Sequence, residues 1–433
     1  MSATLKYESY KSSNSEWLGD IPSAWKTGVI GSLYTLRNTK VSDTDYPPLS
    51  VTMKGIVPQL ETAAKTDAHD ARKLVLKGDF AINSRSDRRG SCGISGYDGS
   101  VSLINTVLTP RGEMRPQYYN WLFHTVQFAD EYYKNGHGIV DDLWTTRWNE
   151  MKRILIPVPS LNEQDGIADY LERKISNIDS VIAEAKASIE EYKAWKASVI
   201  YEAVTKGLDP DVEMKDSGVE WIGEIPSDWD VMRLKNVIFF IESGVSVNAA
   251  QTPANEGSTG VLKTSSVSKY TFIPEENKEV NAEELGRVSC PVKANTIIVS
   301  RMNTPELVGA CGFVERDWPN LLLPDRLWQV HFIETVNVKY VWYYLCSNYI
   351  RSYYASLSSG TSSSMQNISQ GQFENAYLML PPYAVQKELV DYLDSRCSAI
   401  DSLVSEKESL IADLESYKKS LIFEVVTGKR KVV

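Results

Sequence analysis

The sequence has no apolar run approaching 18 residues, so we expect no membrane-spanning helix. Its first residues, MSATLKYESYKSSNSEW, lack the apolar core of a signal peptide, which favours a cytoplasmic protein. The five cysteines are scattered, and an odd number of isolated cysteines is typical of a reducing compartment. The four histidines are isolated too, so the sequence predicts no metal site.

Positive charge is outnumbered by negative charge, with 46 Lys and Arg against 56 Asp and Glu, so the formal net charge of the 433-residue chain is −10. We do not expect an acidic chain to bind nucleic acid nonspecifically over its whole surface. A local basic groove, or basic partner subunits that supply phosphate contacts, is still compatible with this charge.

Signs of catalysis are few, and each has a simpler interpretation. No G-x-x-x-x-G-K-[ST] loop is present for nucleotide phosphates. Leu380-Pro381-Pro382-Tyr383 is similar to the Asn/Asp-Pro-Pro-Tyr motif of amino-methyltransferases, but leucine cannot accept hydrogen bonds from an amine. The Asp-x-Glu-x-Lys spelling at 211–215 occurs in metal-dependent nucleases, but here it lies within one linker. An autonomous enzyme using Tyr383 or Glu213 is therefore the least favoured hypothesis.

The sequence does contain an internal repeat. EWLGDIPSAW at 16–25 returns as EWIGEIPSDW at 220–229, an offset of 204 residues. Residues 164–207 match residues 386–429 at an offset of 222, so the part between is 18 residues longer in the second copy (222 − 204). The ends of the two copies are alike and their middles are almost unrelated. This pattern predicts one frame, present twice, that carries two different inserts.

Apolar residues in the repeated carboxyl-terminal segments recur in alternating steps of four and three, which predicts a heptad seam on a long helix. Such a seam needs a partner, and a two-fold relation between the copies would pair the two helices antiparallel. The alternative is that each helix packs only on its own domain. The seam positions are Leu171, Ile175, Ile178, Ile182 and Ile189 in the first copy and Leu393, Ile400, Val404, Ile411 and Leu414 in the second.

The inserts have similar orders of short strands and aromatic helices, which predicts two globular domains of α/β or α+β class. Phe80–Ile82 and Thr296–Ser300 are expected strands, and 117–128 and 338–348 are expected helices. The predicted organisation is a first domain with its amino-terminal segment at 1–156, a long helix at 157–207, a linker at 208–218, a second domain at 219–380 and a second long helix at 381–433.

Two loops in each insert are candidates for contact with DNA. Arginine can bind guanine and asparagine can bind adenine through paired hydrogen bonds, and small polar residues allow close approach to a sugar–phosphate backbone. An ordinary solvated loop has the same composition, so that alternative stays open. The candidates are Arg85, Arg88, Arg89 and Ser91 in the first insert and Arg301, Asn303, Thr361, Ser363, Gln366 and Asn367 in the second.

Two motifs carry a resemblance to a known family. K-x-S-x-x-E-W-[LI]-G-[DE]-I-P-S-x-W occurs at Lys11–Trp25 and Lys215–Trp229, and P-x-x-x-x-Q occurs at 159–164 and 381–386. With the duplicated plan of insert and helix, which covers essentially the whole chain, the protein resembles the specificity subunits of type I restriction-modification enzymes.

The resemblance implies a fold of two target recognition domains separated by two long helices that form an antiparallel coiled coil with pseudo-two-fold symmetry. Each domain would recognise one half of a bipartite, asymmetric DNA target, and the helices would set the spacer and dock two methyltransferase subunits. Restriction subunits would join the full complex. Adenine methylation, ATP-dependent cleavage, S-adenosylmethionine, ATP and Mg²⁺ would belong to these partners, leaving this chain non-catalytic and without a cofactor. The alternative is a rod-like interaction protein that presents two binding domains and does not bind DNA.

Overall fold

The computed structural model describes residues 5–60, 70–138, 144–220, 222–362 and 365–432. The chain forms two compact units: unit 1 comprises 1–186 and 408–433, and unit 2 comprises 187–407. The unit boundaries fall inside the two long helices, and not at 156 and 380, where the sequence analysis places the ends of the domains.

Unit 1 begins with a small hairpin, continues through short strands and helices, and ends in the first part of a long helix. Its elements are β1 (Tyr10–Ser12), β2 (Asp20–Pro22), β3 (Lys26–Val29), α1 (Ile30–Leu33), β4 (Tyr34–Arg37), β5 (Lys40–Val41), β6 (Leu49–Thr52), β7 (Gly55–Pro58), β8 (Arg72–Val75), β9 (Phe80–Asn83), β10 (Cys92–Ile94), β11 (Gly99–Ser102), β12 (Asn105–Pro110), α2 (Pro116–Phe123), α3 (Val126–Lys134), α4 (Trp148–Met151), β13 (Leu155–Val158) and α5 (Leu161–Lys206).

Unit 2 follows the same general order with more strands. Its elements are β14 (Met214–Asp216), β15 (Glu224–Pro226), β16 (Asp230–Arg233), β17 (Ile238–Ser243), β18 (Gly260–Leu262), β19 (Asn277–Glu279), β20 (Pro291–Val292), β21 (Thr296–Ser300), β22 (Met302–Asn303), β23 (Cys311–Val314), β24 (Trp318–Leu322), β25 (Leu327–Phe332), α6 (Val338–Cys346), α7 (Asn348–Leu357), β26 (Ser359–Ser362), β27 (Met365–Asn367), α8 (Gln370–Glu374), β28 (Tyr377–Leu380) and α9 (Tyr383–Val426).

A four-stranded antiparallel sheet lies at the centre of each unit. Its order is β10-β9-β12-β4 in unit 1 and β23-β21-β25-β17 in unit 2. Strands β9 and β21, both predicted from the sequence, are fully buried because their apolar residues lie between neighbouring strands and the aromatic helices. In unit 1 the rings of Phe80 on β9 and Phe123 on α2 pack with their centroids 5.1 Å apart.

The remaining sheets show where the inserts diverge. Strands β3 and β13 pair in unit 1 as β16 and β28 pair in unit 2, so the strand before each long helix is held by the strand after each repeated phrase. Unit 1 adds the sheet β11-β8-β5 and the hairpin β6–β7, whereas unit 2 adds β19-β18-β24-β20 and β22-β27-β26. The extra residues of the second insert thus fall outside the shared frame.

The aromatic segments that the sequence predicts as single helices are each two helices. The segment 117–128 belongs to α2 and α3, because the side chain of Thr125 caps α3 by accepting a hydrogen bond from the Phe128 N–H at 3.2 Å. The segment 338–348 likewise contains the whole of α6 and the first residue of α7, which are separated at Ser347. The prediction of helix was right for these segments and the prediction of continuity was wrong.

The repeated phrase is a β-hairpin in both units. Strands β1 and β2 pair with Tyr10 opposite Pro22, and β14 and β15 pair with Met214 opposite Pro226, the same register at the offset of 204. Part of the segment predicted as a linker, 208–218, is therefore the first strand of this hairpin. Trp221, the counterpart of Trp17, lies outside the described residues.

Glycine and tryptophan in the phrase have structural roles. Gly19 and Gly223 adopt φ values of +60° and +73°, in the left-handed region that favours glycine. The side chains of Trp25 and Trp229 are buried, at 0% and 2% exposure. In unit 1, Lys429 Nζ, just beyond α9, donates to the Leu18 carbonyl at 2.6 Å. The phrase is therefore a docking element for the end of a long helix.

The two long helices are continuous over 46 and 44 residues. In unit 1, α5 runs antiparallel to the end of α9, because Tyr170 lies near Arg430 while Asp179 binds Lys418. The predicted seam on α5 is buried, with exposures of 0–8% from Leu171 to Ile189. On α9, Leu393 and Ile400 are buried, and the other seam positions, Val404, Ile411 and Leu414, are half-buried.

The coiled coil predicted from the heptads is therefore present. The alternative, in which each helix packs on its own domain, is also partly right. Leu171 and Ile178 on α5 belong to the same apolar core as the sheet and aromatic helices of unit 1, and so does Leu421 on α9. Leu393 on α9 and Ile200 on α5 belong in the same way to the core of unit 2. Each seam thus packs on a helix and on a domain together.

A buried glutamine joins each long helix to its domain. The Gln164 amide donates to the Pro159 carbonyl and its oxygen accepts from the Arg115 N–H, both at 2.9 Å. Gln386 makes the equivalent pair of bonds, both at 2.8 Å. Because both polar ends of the amide are satisfied by backbone, the P-x-x-x-x-Q motif fixes the start of the helix against the domain.

Candidate nucleic-acid interface

The two loops predicted to contact DNA in the first insert lie side by side in unit 1. The Thr146 N–H donates to the Ser84 carbonyl at 3.0 Å, and Arg85 and Thr145 form an isolated antiparallel bridge. His137 bridges the other side of Thr145. Residues 139–142 of the second loop lie outside the described residues. The structure therefore joins two segments that are more than fifty residues apart in the sequence.

Three of the four predicted residues in this loop have partners within the protein. Arg88 lies 3.6 Å from Asp87, and Arg89 binds Asp130 at 2.6 Å. Ser91 is buried at 6% exposure, and its carbonyl accepts from the backbone N–H at the end of β9. Ser91 therefore closes the loop from inside and is not on its exposed surface. Both ion pairs are exposed and weak, so Arg88 and Arg89 can exchange these partners for an anion.

The predicted loops of the second insert also meet, in the three-stranded sheet β22-β27-β26 of unit 2. Met302 pairs with Asn367 and Asn303 pairs with Gln366 along this sheet. Thr361 lies in β26, but its side chain, like the whole of Ser363, lies outside the described residues. The backbone therefore joins the two loops of the second insert in one sheet.

The two asparagine side chains predicted on this sheet form hydrogen bonds within the protein. The Asn303 amide donates to Ser300 Oγ at 3.3 Å, and its oxygen accepts from the Thr304 N–H at 2.9 Å. In the orientation that satisfies its amide, Asn367 donates to the Arg301 carbonyl at 2.9 Å. Asn303 and Asn367 therefore stabilise the turn that carries Arg301.

Backbone hydrogen bonds show which residues of the two loops are equivalent. Thr146 N–H to Ser84 O and Ile368 N–H to Arg301 O are both 3.0 Å, and the donors are offset by 222. Arg301 thus occupies the place of Ser84, and the place of Arg85 is taken by Met302. The two arginines are not counterparts, because the second loop is shifted by one residue relative to the first.

A cavity of about 470 Å³ in unit 1 contains side chains that sequence patterns did not single out. Arg85 lines it together with Lys73 from β8 and Arg147 and Asn149 from the start of α4. Burial lowers the pKa of Lys73, whose Nζ donates to the Asn105 carbonyl at 2.6 Å. Lys73 follows Arg72 outside any motif, Arg147 stands alone in the sequence, and only the fold brings them to Arg85.

The two segments that are similar to catalytic motifs, 380–383 and 211–215, lie in structural elements. Leu380 ends β28 and Tyr383 begins α9, as expected for a helix-start turn. The Glu213 carbonyl accepts from the Ser227 N–H at 2.7 Å beside the second hairpin. Among the described residues, no group of three His, Cys, Asp or Glu side chains could hold a metal ion. None of the helices formed by the described residues is long and apolar enough to cross a membrane.

Sequence comparisons identify relatives of this chain. The family model described as the type I restriction modification DNA specificity domain matches residues 226–410. The specificity subunit of the type I restriction enzyme EcoEI from Escherichia coli is 29% identical over 188 residues, which are 43% of this chain and 32% of that subunit. The MjaVIII specificity subunit from Methanocaldococcus jannaschii is 26% identical over 345 residues, which are 78% of this chain and 76% of that one. The chain thus matches about a third of the EcoEI subunit.

Structural comparisons extend the likeness to the whole fold. A chain solved in work on complex assembly and conformational transition of the type I R-M system superposes with a TM-score of 0.68 and 14% identity, covering 94% of this chain and 98% of its own. The HsdS subunit from Thermoanaerobacter tengcongensis gives a TM-score of 0.50 with 17% identity and the same coverage. A duplicated frame on paired helices is the fold that this chain shares with those structures. Its residues 226–410 match the specificity-domain family, and the chain is similar in sequence to specificity subunits of type I restriction enzymes.

Proposed function

We propose that each of the two domains of this chain recognises one half of a bipartite, asymmetric DNA sequence. The observation that carries the proposal is one frame, repeated with different loops. Both units have the same hairpin register, central sheet and buried glutamine, whereas Arg85 in one unit corresponds to Met302 in the other. A common frame presents the loops alike, and different side chains on those loops give different base preferences.

The loop residues Arg85, Arg88, Arg89, Arg301, Asn303, Gln366 and Asn367 remain the proposed contacts, together with Thr361 and Ser363. The structure changes which of these side chains are the strongest candidates for contact with DNA. Arg85 has no carboxylate partner among the described residues, whereas Asn303 and Asn367 are engaged by neighbouring backbone. Arg301 is half-buried, and its Nε has no hydrogen-bond partner in the described part of unit 2.

The long helices are proposed as docking surfaces for two methyltransferase subunits. Beyond its seam, α9 exposes Leu403, Leu410 and Tyr417, which recur every seven residues and are 38–40% exposed. On α5, Val181 and Trp195 are 44% and 48% exposed and lie 222 residues before Leu403 and Tyr417. The two helices thus expose large apolar residues at two equivalent positions, which suits two copies of one partner, whereas the third position is Leu410 on α9 and Ser188 on α5.

Partner subunits would also supply the chemistry. We assign adenine methylation with S-adenosylmethionine to the methyltransferase subunits, and ATP- and Mg²⁺-dependent cleavage to restriction subunits in the full complex. This chain, by the same proposal, contributes no catalytic group and holds no cofactor. A net charge of −10 is compatible with DNA binding because basic partners would share the phosphate contacts.

Methylation mapping tests the proposal directly. The chain is expressed with its neighbouring methyltransferase, and methylated adenines are mapped by single-molecule sequencing of the host DNA. The expected result is one split motif with different halves and a methylated adenine in each. If the same methyltransferase is active with another specificity chain but yields no motif with this one, the proposal fails and the rod-like interaction protein is preferred.

A further inference from the structure

The cavity in unit 1 differs in charge from the rest of this acidic chain. Among the described residues that line it there are three cations, Lys73, Arg85 and Arg147, and no carboxylate. The hydroxyl groups of Ser84, Thr106 and Thr145 also line it. Because like charges repel in a confined space, three cations gathered without a carboxylate are more stable when an anion is bound.

Arg147 is the cation that most needs such an anion. Its side chain is exposed at the start of α4, and it makes no ion pair or side-chain hydrogen bond to the residues that the structure describes. Some other arginines in unit 1 are neutralised, as Arg37 is by Asp79 at 2.6 Å and Arg115 by Asp165 at 2.7 Å. In the cavity, by contrast, two arginines without a carboxylate partner among the described residues lie in one lining.

The shape of the site favours phosphate over a base edge as the ligand. Base edges lie at the floor of a DNA groove and are contacted by elements that protrude into it. The sugar–phosphate strand, in contrast, forms the convex ridge beside the groove and fits a concave site. Guanidinium, ammonium and hydroxyl donors are the groups that bind phosphate oxygens in protein–DNA complexes.

The equivalent place in unit 2 has Arg301 where unit 1 has Ser84, but it lacks both cations of the pair Arg85 and Arg147. Arg85 corresponds to Met302, and Arg147 lies 222 residues before Ser369 in the segment whose backbone bonds match. Ser369 caps α8 through its side chain, which accepts from the Gln372 N–H at 3.2 Å. The cation pair is therefore a property of the first domain and not of the shared frame.

We infer that Arg85 and Arg147 hold the DNA phosphate backbone in this cavity, so that the first domain binds its half-site through a pair of cations that the second domain lacks. The inference rests on the proposed function and assigns Arg85 a different role from the base contact expected from its sequence. Lys73, already bonded to a backbone carbonyl, adds charge at the base of the site.

Salt-dependent binding tests the inference. The complex of this chain with its methyltransferase is titrated onto its mapped target duplex between 50 and 200 mM salt. For each phosphate contact removed, the slope of log affinity against log salt is expected to fall by about 0.9. Arg85→Ala and Arg147→Ala should each lower the slope by about this amount and the double variant by about twice it, with affinity reduced alike for all duplexes.

Matched variants separate the alternatives. Arg153→Ala removes one charge from the same domain outside the cavity lining, and Ser369→Ala changes the equivalent place in unit 2; both should leave the slope unchanged. An unchanged slope in the Arg147→Ala complex overturns the inference, as does loss of discrimination at a single base position, which marks a base contact. A wild-type complex that prefers no sequence would instead contradict the proposed function, whatever the slopes show.

Discussion

Lys418 on α9 binds the carboxylate of Asp179 on α5, with Nζ 2.8 Å from Oδ2. The residues 222 positions away from each, Asp401 and Lys196, form the same pair in unit 2 at 2.7 Å. The ion pair is thus reciprocal: each helix gives an aspartate to one unit and a lysine to the other. A reciprocal pair is what a two-fold relation between antiparallel helices produces.

We predict that these pairs fix helix register at little gain in stability. Their side chains are 29–58% exposed, so each pair should contribute about 0.2–1 kcal/mol to the free energy of unfolding. Asp179→Lys should lower the thermal midpoint slightly, and Asp179→Lys combined with Lys418→Asp should restore it. A double-mutant cycle by urea unfolding measures the coupling. Coupling above about 2 kcal/mol would show that the pair is more shielded from solvent than its exposure indicates.

Replacing the buried Gln164 should lower the free energy of unfolding far more than breaking one of these ion pairs. Gln164→Met keeps the volume but leaves the Pro159 carbonyl and the Arg115 N–H unpaired, at about 1–3 kcal/mol for each group. Gln386→Met should have the same effect in unit 2. The control is Gln370→Met, where the side chain is exposed. Equal unfolding free energies for Gln164→Met and Gln370→Met in urea would contradict the role of the buried amide.

Much of the frame could be predicted because two local patterns specify it, the heptad spacing of apolar residues and the repetition of one sequence phrase. The heptads predicted α5 to within four residues at each end and the start of α9 to within two, but α9 ends at Val426 and not at 433. Apolar spacing alone specifies which face of a long helix is buried. Gln164 could be recognised as part of the P-x-x-x-x-Q motif, but the sequence does not show what its side chain binds. Its amide oxygen accepts from the backbone N–H of Arg115, which lies 49 positions earlier.

The site was less predictable because it is assembled by tertiary contacts. Arg85 stood out in a cluster of arginines, yet no sequence motif marks Lys73 or Arg147. Their common cavity depends on how β8 and the start of α4 meet the loop after β9. The one-residue shift that replaces Arg85 by Met302 is also invisible without the backbone bonds, because the inserts share too little sequence to align.

Acid should weaken unit 2 through Glu242. Burial pushes the pKa of this carboxyl upward, but hydrogen bonds from Gln329 and His331 outweigh it, and the pKa lies below its usual value of 4.5. A depressed pKa gives stability that is present above about pH 4.5 and is lost as the pH falls through the folded value. The carboxylate is 36% exposed, so the effect should stay below about 1 kcal/mol.

Urea unfolding at pH 6 and pH 3.5 measures this effect. The wild-type chain should lose more stability between these values than Glu242→Gln, which cannot titrate. Glu256→Gln, at an exposed position, serves as the control and should behave like the wild type. If Glu242→Gln loses as much stability as the wild type, other carboxyl groups account for the acid sensitivity.

The exposed stripe on α9 predicts how the methyltransferase binds. Leu410→Glu places a charge at the centre of the stripe and should weaken capture of the methyltransferase about 10- to 100-fold, as expected for losing the burial of one leucine. Ser409→Glu adds the same charge at the next position and should have little effect. Calorimetric titration with the purified partner measures both. Equal affinity for the two variants would exclude the stripe as the docking surface.

The length of the helices should set the distance between the two half-sites. Four residues inserted after Ile189 add about 6 Å of helix, close to two base-pair steps of about 3.4 Å. Methylation mapping of this variant should therefore show a changed spacer between two unchanged half-sites, because the recognition loops are untouched. The same four residues inserted after Asp209, beyond the end of α5, should leave the spacer as it was. An unchanged spacer after insertion at Ile189, with methylation retained, would mean that the helices do not determine the distance.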